Sequence, residues 1–96
     1  MGILVRGLVI LPCPVSWPMR KRSAELQELG RRIRAARTAL DLSQEDLAYE
    51  SGIDRSYVGG VERGERNITF NLLCKIAGAL RCDVAELTKG LPQRPR

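Results

Sequence analysis

Histidine is absent from the 96 residues, aromatic side chains make up only 4%, and the three cysteines, Cys13, Cys74 and Cys82, show neither paired nor metal-ligand spacing. Zinc ligation and most nucleophilic or general acid–base chemistry therefore lack their usual residues. No serine or cysteine has a base placed beside it by sequence, and no glycine-rich phosphate loop follows a strand. An enzyme is not expected, and neither a metal nor another cofactor is implied. The cysteine usage fits a reduced, cytoplasmic chain, and Cys74, inside an apolar helical stretch, reads as a small core residue. A long hydrophobic run is also missing. Residues 3–11 are apolar but broken by Arg6 and Gly7 and closed by Pro12, far short of the roughly 20 residues that cross a bilayer. The positive leading region of a secretory signal is missing too, so neither a membrane nor a small-molecule substrate is an expected partner.

What is present suits one small domain, since a 96-residue chain with 44% hydrophobic content can bury a single modest core of Leu, Ile, Val and Ala. The net charge of +5 is unevenly placed. Arg6, Arg20, Lys21 and Arg22 lie before residue 23, Arg94 and Arg96 lie at the end, and residues 23–90 carry ten basic against eleven acidic groups. Any attraction to nucleic acid must then rest on where arginines point rather than on bulk charge. Residues 1–22 read as an extension, either disordered or an extended arm in which residues 8–11 pair with a partner as a strand. Met19 opens MRKRSAELQELG, which looks like a natural start. Residues 23–90 form the expected domain and 91–96 a tail.

Hydrophobic spacing predicts helices throughout that domain. Leu26, Leu29, Ile33, Ala36 and Leu40 recur at steps of 3 and 4, the stripe of an amphipathic helix over 24–40. Arg31, Arg32, Arg34 and Arg37 fall largely off the stripe and read as a solvated face, with a dedicated phosphate contact the alternative. Leu72, Leu73, Ile76, Ala77 and Leu80 mark another helix behind a loop that ends in a Thr69 cap. Asp83 with Glu86 opens a short last helix that Gly90 and Pro92 terminate.

Between them lies SQEDLAYESGIDRSYVGGVERGERN, residues 43–67. Ser43 and Asp46 have the spacing of a capping box. Gly52 sits where a first short helix must stop and the chain reverse, a place that favours positive φ. Asp54 caps a second helix, and Ala48 is small where the two would cross. Two short helices joined by a glycine turn, with an arginine-bearing outer face, result.

The strings LSQEDLA (42–48), SGIDRSYV (51–58) and VERGERN (61–67) resemble the lambda-repressor-like, Cro/C1-type (Xre) helix-turn-helix family. The likeness spans about residues 26–89, and within the family it is nearest to short, single-domain restriction-modification controller proteins. It implies an all-α, five-helix DNA-binding domain. A helix fits the major groove, and the N-terminal end of the second motif helix reaches base edges in such proteins. Arg55 and Ser56 are thus the expected base readers, with arginine able to donate twice to guanine. Gln44 stands where family members contact phosphate and brace the recognition helix, with its backbone amide at a positive helix terminus. Arg63 and Arg66 are expected on phosphates, with pairing to Glu62 or Glu45 the alternative for Arg63. Tyr57 is expected either to bond a phosphate or to pack its ring against the first motif helix. Asn67 is expected to turn the loop or offer a main-chain phosphate contact.

The chain departs from the family at Gly59 and Gly60, each costing roughly 1 kcal/mol against alanine inside a helix. Either an exposed face tolerates them, or backbone approaches DNA there. Ile68 stands where the family often has proline. The resemblance further implies a homodimer with recognition helices about 34 Å apart on a (pseudo)palindromic operator. Val84, Leu87 and Leu91 are candidates for its interface, with core packing the alternative, more so for Val84 and Leu87. The expected function is a sequence-specific regulator of transcription that binds double-stranded DNA. The alternative is an antitoxin-like or protein-interaction module keeping the same helices.

Overall fold

The computed structural model describes residues 23–92. The expected arm or tail over 1–22, including the strand alternative at 8–11, and residues 93–96 lie outside the described residues. Five helices follow in order: α1 Ala24–Ala39, α2 Gln44–Ser51, α3 Arg55–Glu62, α4 Phe70–Ala79 and α5 Val84–Thr88. There is no strand among the described residues, and no helix among them is long and apolar enough to cross a membrane.

Most helix starts are fixed by short side chains that satisfy backbone amides left free by the first turn. The Ser23 hydroxyl accepts from the Leu26 N–H at 3.2 Å and the Thr69 hydroxyl from the Leu72 N–H at 3.2 Å. Ser43 and Asp46 close a reciprocal box at 2.9 Å in each direction. Asp83 departs from expectation: it precedes α5 but makes no side-chain cap bond. Glu86 donates its N–H to the Asp83 carbonyl instead.

The apolar faces meet in one cluster in which Ile33, Leu47, Val58 and Ile76 are fully buried, with Leu29, Val61, Leu73, Leu80 and Leu87 around them. α1 crosses α3 at Gly30, where a Cβ would stand 2.5 Å from the Glu62 carbonyl oxygen and closer still to that of Val61. Only glycine lets the two backbones approach so closely. Two residues expected in the core are outside it. Leu40 follows the last turn of α1 as its C-cap and is 38% exposed. Cys74 is exposed, because the buried stripe of α4 runs through Leu73, Ile76 and Ala77 and leaves position 74 one step off it.

Candidate nucleic-acid interface

α2 and α3 form a tight bihelical elbow. Gly52 ends α2 at φ +74°, ψ 25°, and its N–H and that of Ile53 both return to the Ala48 carbonyl, at 2.9 and 3.0 Å. A side chain at position 52 would strain this left-handed turn. Asp54 then caps α3 by accepting the Ser56 N–H at 3.0 Å. Its carboxylate also accepts the Ser56 hydroxyl in a short bond. The two Ser56 donors, ahead of a Tyr57 N–H and the nearby Arg55 charge, hold the Asp54 carboxyl below its ordinary range.

Arg55 and Ser56, the expected readers, are both exposed at the N-terminal end of α3. The Arg55 guanidinium donates to the Gln44 side-chain oxygen at 3.1 Å. Gln44, expected on a phosphate, thus spends its side chain inside the protein: its amide nitrogen donates to Glu62 Oε1 at 2.9 Å. Arg63 pairs with Glu65 at 3.2 Å. The Arg66 guanidinium lies 5.3 Å from the centroid of the Tyr57 ring, a cation–π distance. Tyr57 itself is half-buried against the core. Asn67 is exposed in the loop to α4.

Gly59 and Gly60 are buried within the chain and do not lie on an open face, the first of the two alternatives. Arginine side chains cover them. A Cβ on Gly60 would stand 2.9 Å from Cγ of Arg66, and one on Gly59 would stand 3.1 Å from a terminal nitrogen of Arg63 and 3.5 Å from the Gln44 oxygen. The helix is narrowed along this line so that two cations and one amide can lie across it. Arg55, Gln44, Arg63, Arg66 and Tyr57 thereby share one continuous outer face of α3.

Glu62, which the sequence suggests only as a partner for Arg63, is the hub beneath that face. Its side chain is 0% exposed. Arg37 from α1 grips it twice, Nε to Oε2 at 2.7 Å and a terminal nitrogen to Oε1 at 3.0 Å, and Arg34 approaches at 3.4 Å. Burial pushes this carboxyl up, but the hydrogen bonds from Arg37 and Gln44 and the Arg37 charge outweigh it, leaving it below its ordinary range. Arg37 also donates to the Leu42 carbonyl at 2.8 Å and is 12% exposed. Arg32 bonds the Leu87 and Lys89 carbonyls at 3.1 and 2.7 Å. The arginines of α1 are therefore not simply a solvated face: Arg32 and Arg37 tie helices together.

The expected interface residues lie elsewhere, on and after α5, which packs against α1 and α4. Leu87 is only 3% exposed within the chain's own core, which corrects its placement at an interface: it has no surface left for a partner. Val84 is half-buried against that core and Leu91 is half-buried. Among the described residues no group of His, Cys, Asp and Glu could hold a metal ion.

Five helices among the described residues, a glycine-turned elbow and an arginine-tipped second motif helix define a helix-turn-helix protein. The helix-turn-helix family model matches residues 33–87, more than half of the chain, and the chain belongs to that family, in its Cro/C1-type class. Within it, the similarity runs to restriction-modification controller proteins. The chain is 46% identical over 59 residues to control protein C.SmaI of Serratia marcescens, covering 62% of this chain and 70% of that one. The crystal structure of controller C.AhdI from Aeromonas hydrophila superimposes with a TM-score of 0.67 at 54% identity, over 68% of this chain and 98% of that one. Controller C.Esp1396I, solved as a tetramer in complex with its natural 35-base-pair operator, gives a TM-score of 0.64 at 35% identity, over 68% and 86% of the two chains. Structures of that controller also include single substitutions at consecutive arginine, threonine and tyrosine positions.

Proposed function

We propose that this protein is a sequence-specific regulator of transcription of the controller type, acting in the cytoplasm as a homodimer on a (pseudo)palindromic double-stranded operator. The observation that carries this reading is the exposed N-terminal end of α3, where Arg55 stands on a helix start held by Asp54 and is supported from α2 by Gln44. Arg55 reads guanine through O6 and N7, and Ser56 supplies a weaker contact beside it. Gln44 braces the reader, and its main-chain amide at the start of α2 faces phosphate. Arg63, Arg66, Tyr57 and Asn67 set the register on the backbone without reading sequence. The domain over 23–90 is the DNA-binding unit.

Gel shift across a salt series on the DNA upstream of the protein's own gene, against a scrambled duplex, tests the reading. Tighter binding to the upstream DNA is expected. Arg55→Ala should lose about 1–3 kcal/mol there and far less on the scrambled duplex. Equal binding to both duplexes would overturn the regulator reading, and equal losses with Arg55→Ala would make Arg55 a phosphate contact.

A further inference from the structure

We propose that Glu62 is a positioning residue for base reading: through Gln44 it holds the Arg55 guanidinium in the conformation from which it enters the groove. The inference rests on Arg55 as the reader and extends that reading inward. Four side chains form an unbroken line of hydrogen bonds from the core to the tip of α3. Arg37 donates twice to Glu62, Gln44 donates to Glu62 at 2.9 Å, and Arg55 donates to Gln44 at 3.1 Å.

The chemistry of the ends fixes the direction of the middle. An ionised carboxylate only accepts and a guanidinium only donates, so the Gln44 amide, otherwise free to flip, has a single orientation with its nitrogen toward Glu62 and its oxygen toward Arg55. Were the Glu62 charge removed, the Gln44 nitrogen would lose its charged acceptor, and the amide would be anchored only through the exposed Arg55 guanidinium. Gln44 and Arg55 would then sample several conformations instead of one. Arg55 is an exposed side chain with many rotamers, so holding it in one before DNA arrives removes an ordering cost from binding. Arg37 alone already supplies a bidentate partner for Glu62, so the bond to Gln44 is not needed to neutralise the buried charge. The line also explains Gly59: it leaves the surface over which the Gln44 oxygen and the Arg63 guanidinium lie.

The test uses the full chain, the duplex that wild type enriches from a random-sequence pool, and a scrambled duplex. Glu62→Gln, with helical content checked by circular dichroism, should lower the ratio of the two affinities by about tenfold. The slope of affinity against salt should stay unchanged, since no phosphate contact is removed. In an Arg55→Ala background the same substitution should lower the ratio no further. Gln44→Met breaks the line while leaving the Arg37–Glu62 pair, and should match Glu62→Gln in its effect on the ratio; where Glu62→Gln does not fold, Gln44→Met decides by the same criteria. An unchanged ratio, or an equal fall in the Arg55→Ala background, would overturn the inference while Arg55 remained the reader. Failure of wild type to discriminate between the duplexes would overturn the DNA-binding reading and this inference with it.

Discussion

Two glutamates on this protein sit among arginines, and they behave differently because one is enclosed. Glu28 is half-buried on α1 and bonds Arg31 and Arg32 of the same helix at 2.6 to 3.0 Å. The hydrogen bonds from Arg31 and then Arg32 hold its carboxyl down to about 2. Such neighbours on one helix stabilise it little, because long side chains must be ordered to meet and Glu28 itself bonds no second helix. Glu62 has no exposure and draws donors from α1 and α2 onto the end of α3. Its pairing is part of how three helices find their relative positions. A strongly lowered carboxyl on a glutamate whose partners lie on its own helix thus says little about stability; the number of helices that a charge joins is the better guide.

The largest effect that would sharpen this contrast is expected from Arg37→Ala. It leaves a carboxylate buried without its main partner, so thermal and urea unfolding should show a loss of about 3–5 kcal/mol. Gly30→Ala comes next. The added methyl would collide with the Val61 and Glu62 carbonyls and push α1 from α3. A loss of about 1–3 kcal/mol is expected, with the Arg37–Glu62 distances lengthened in a crystal structure. Acid titration should be milder. The carboxyls of Glu28, Asp46, Asp54 and Glu62 are all lowered in the folded chain. Their contribution is therefore fully present above the ordinary carboxylate values and lost as pH falls, which for Glu28 means between its ordinary 4.5 and about 2. Urea midpoints measured across that window should fall steadily. Least of all, Glu28→Gln at neutral pH should shift the urea midpoint less than either substitution above. A loss from Glu28→Gln as large as that from Arg37→Ala would break the comparison.

The sequence disclosed what depends on near neighbours and hid what depends on distant ones. The Ser43–Asp46 box, the Gly52 turn, the Asp54 and Thr69 caps and the stripes through Ile33 and Ile76 are set within one or two helical turns, and each stands where the spacing placed it. Glu62 meets Arg37 across 25 residues and Gln44 across 18. No local pattern marks such a glutamate, and in the string VERGERN it reads as one more surface charge. The same limit explains the α3 glycines. Their lack of side chains reads as loss of helix propensity until Arg63 and Arg66 are seen folded back over them. Spacing misplaces Cys74 and Leu40 by a smaller margin, one residue off a buried stripe or one past a helix end.

The claim that everything else serves is that Arg55 enters the major groove and grips a guanine. The most direct measurement replaces each guanine of the enriched duplex in turn by 7-deazaguanine, which keeps Watson–Crick pairing but removes the N7 acceptor. At one guanine in each half-site, wild type should bind several-fold more weakly, while Arg55→Ala should bind the substituted and unsubstituted duplexes alike. Wild type indifferent at every guanine, or equal losses for wild type and Arg55→Ala at the same position, would contradict the account.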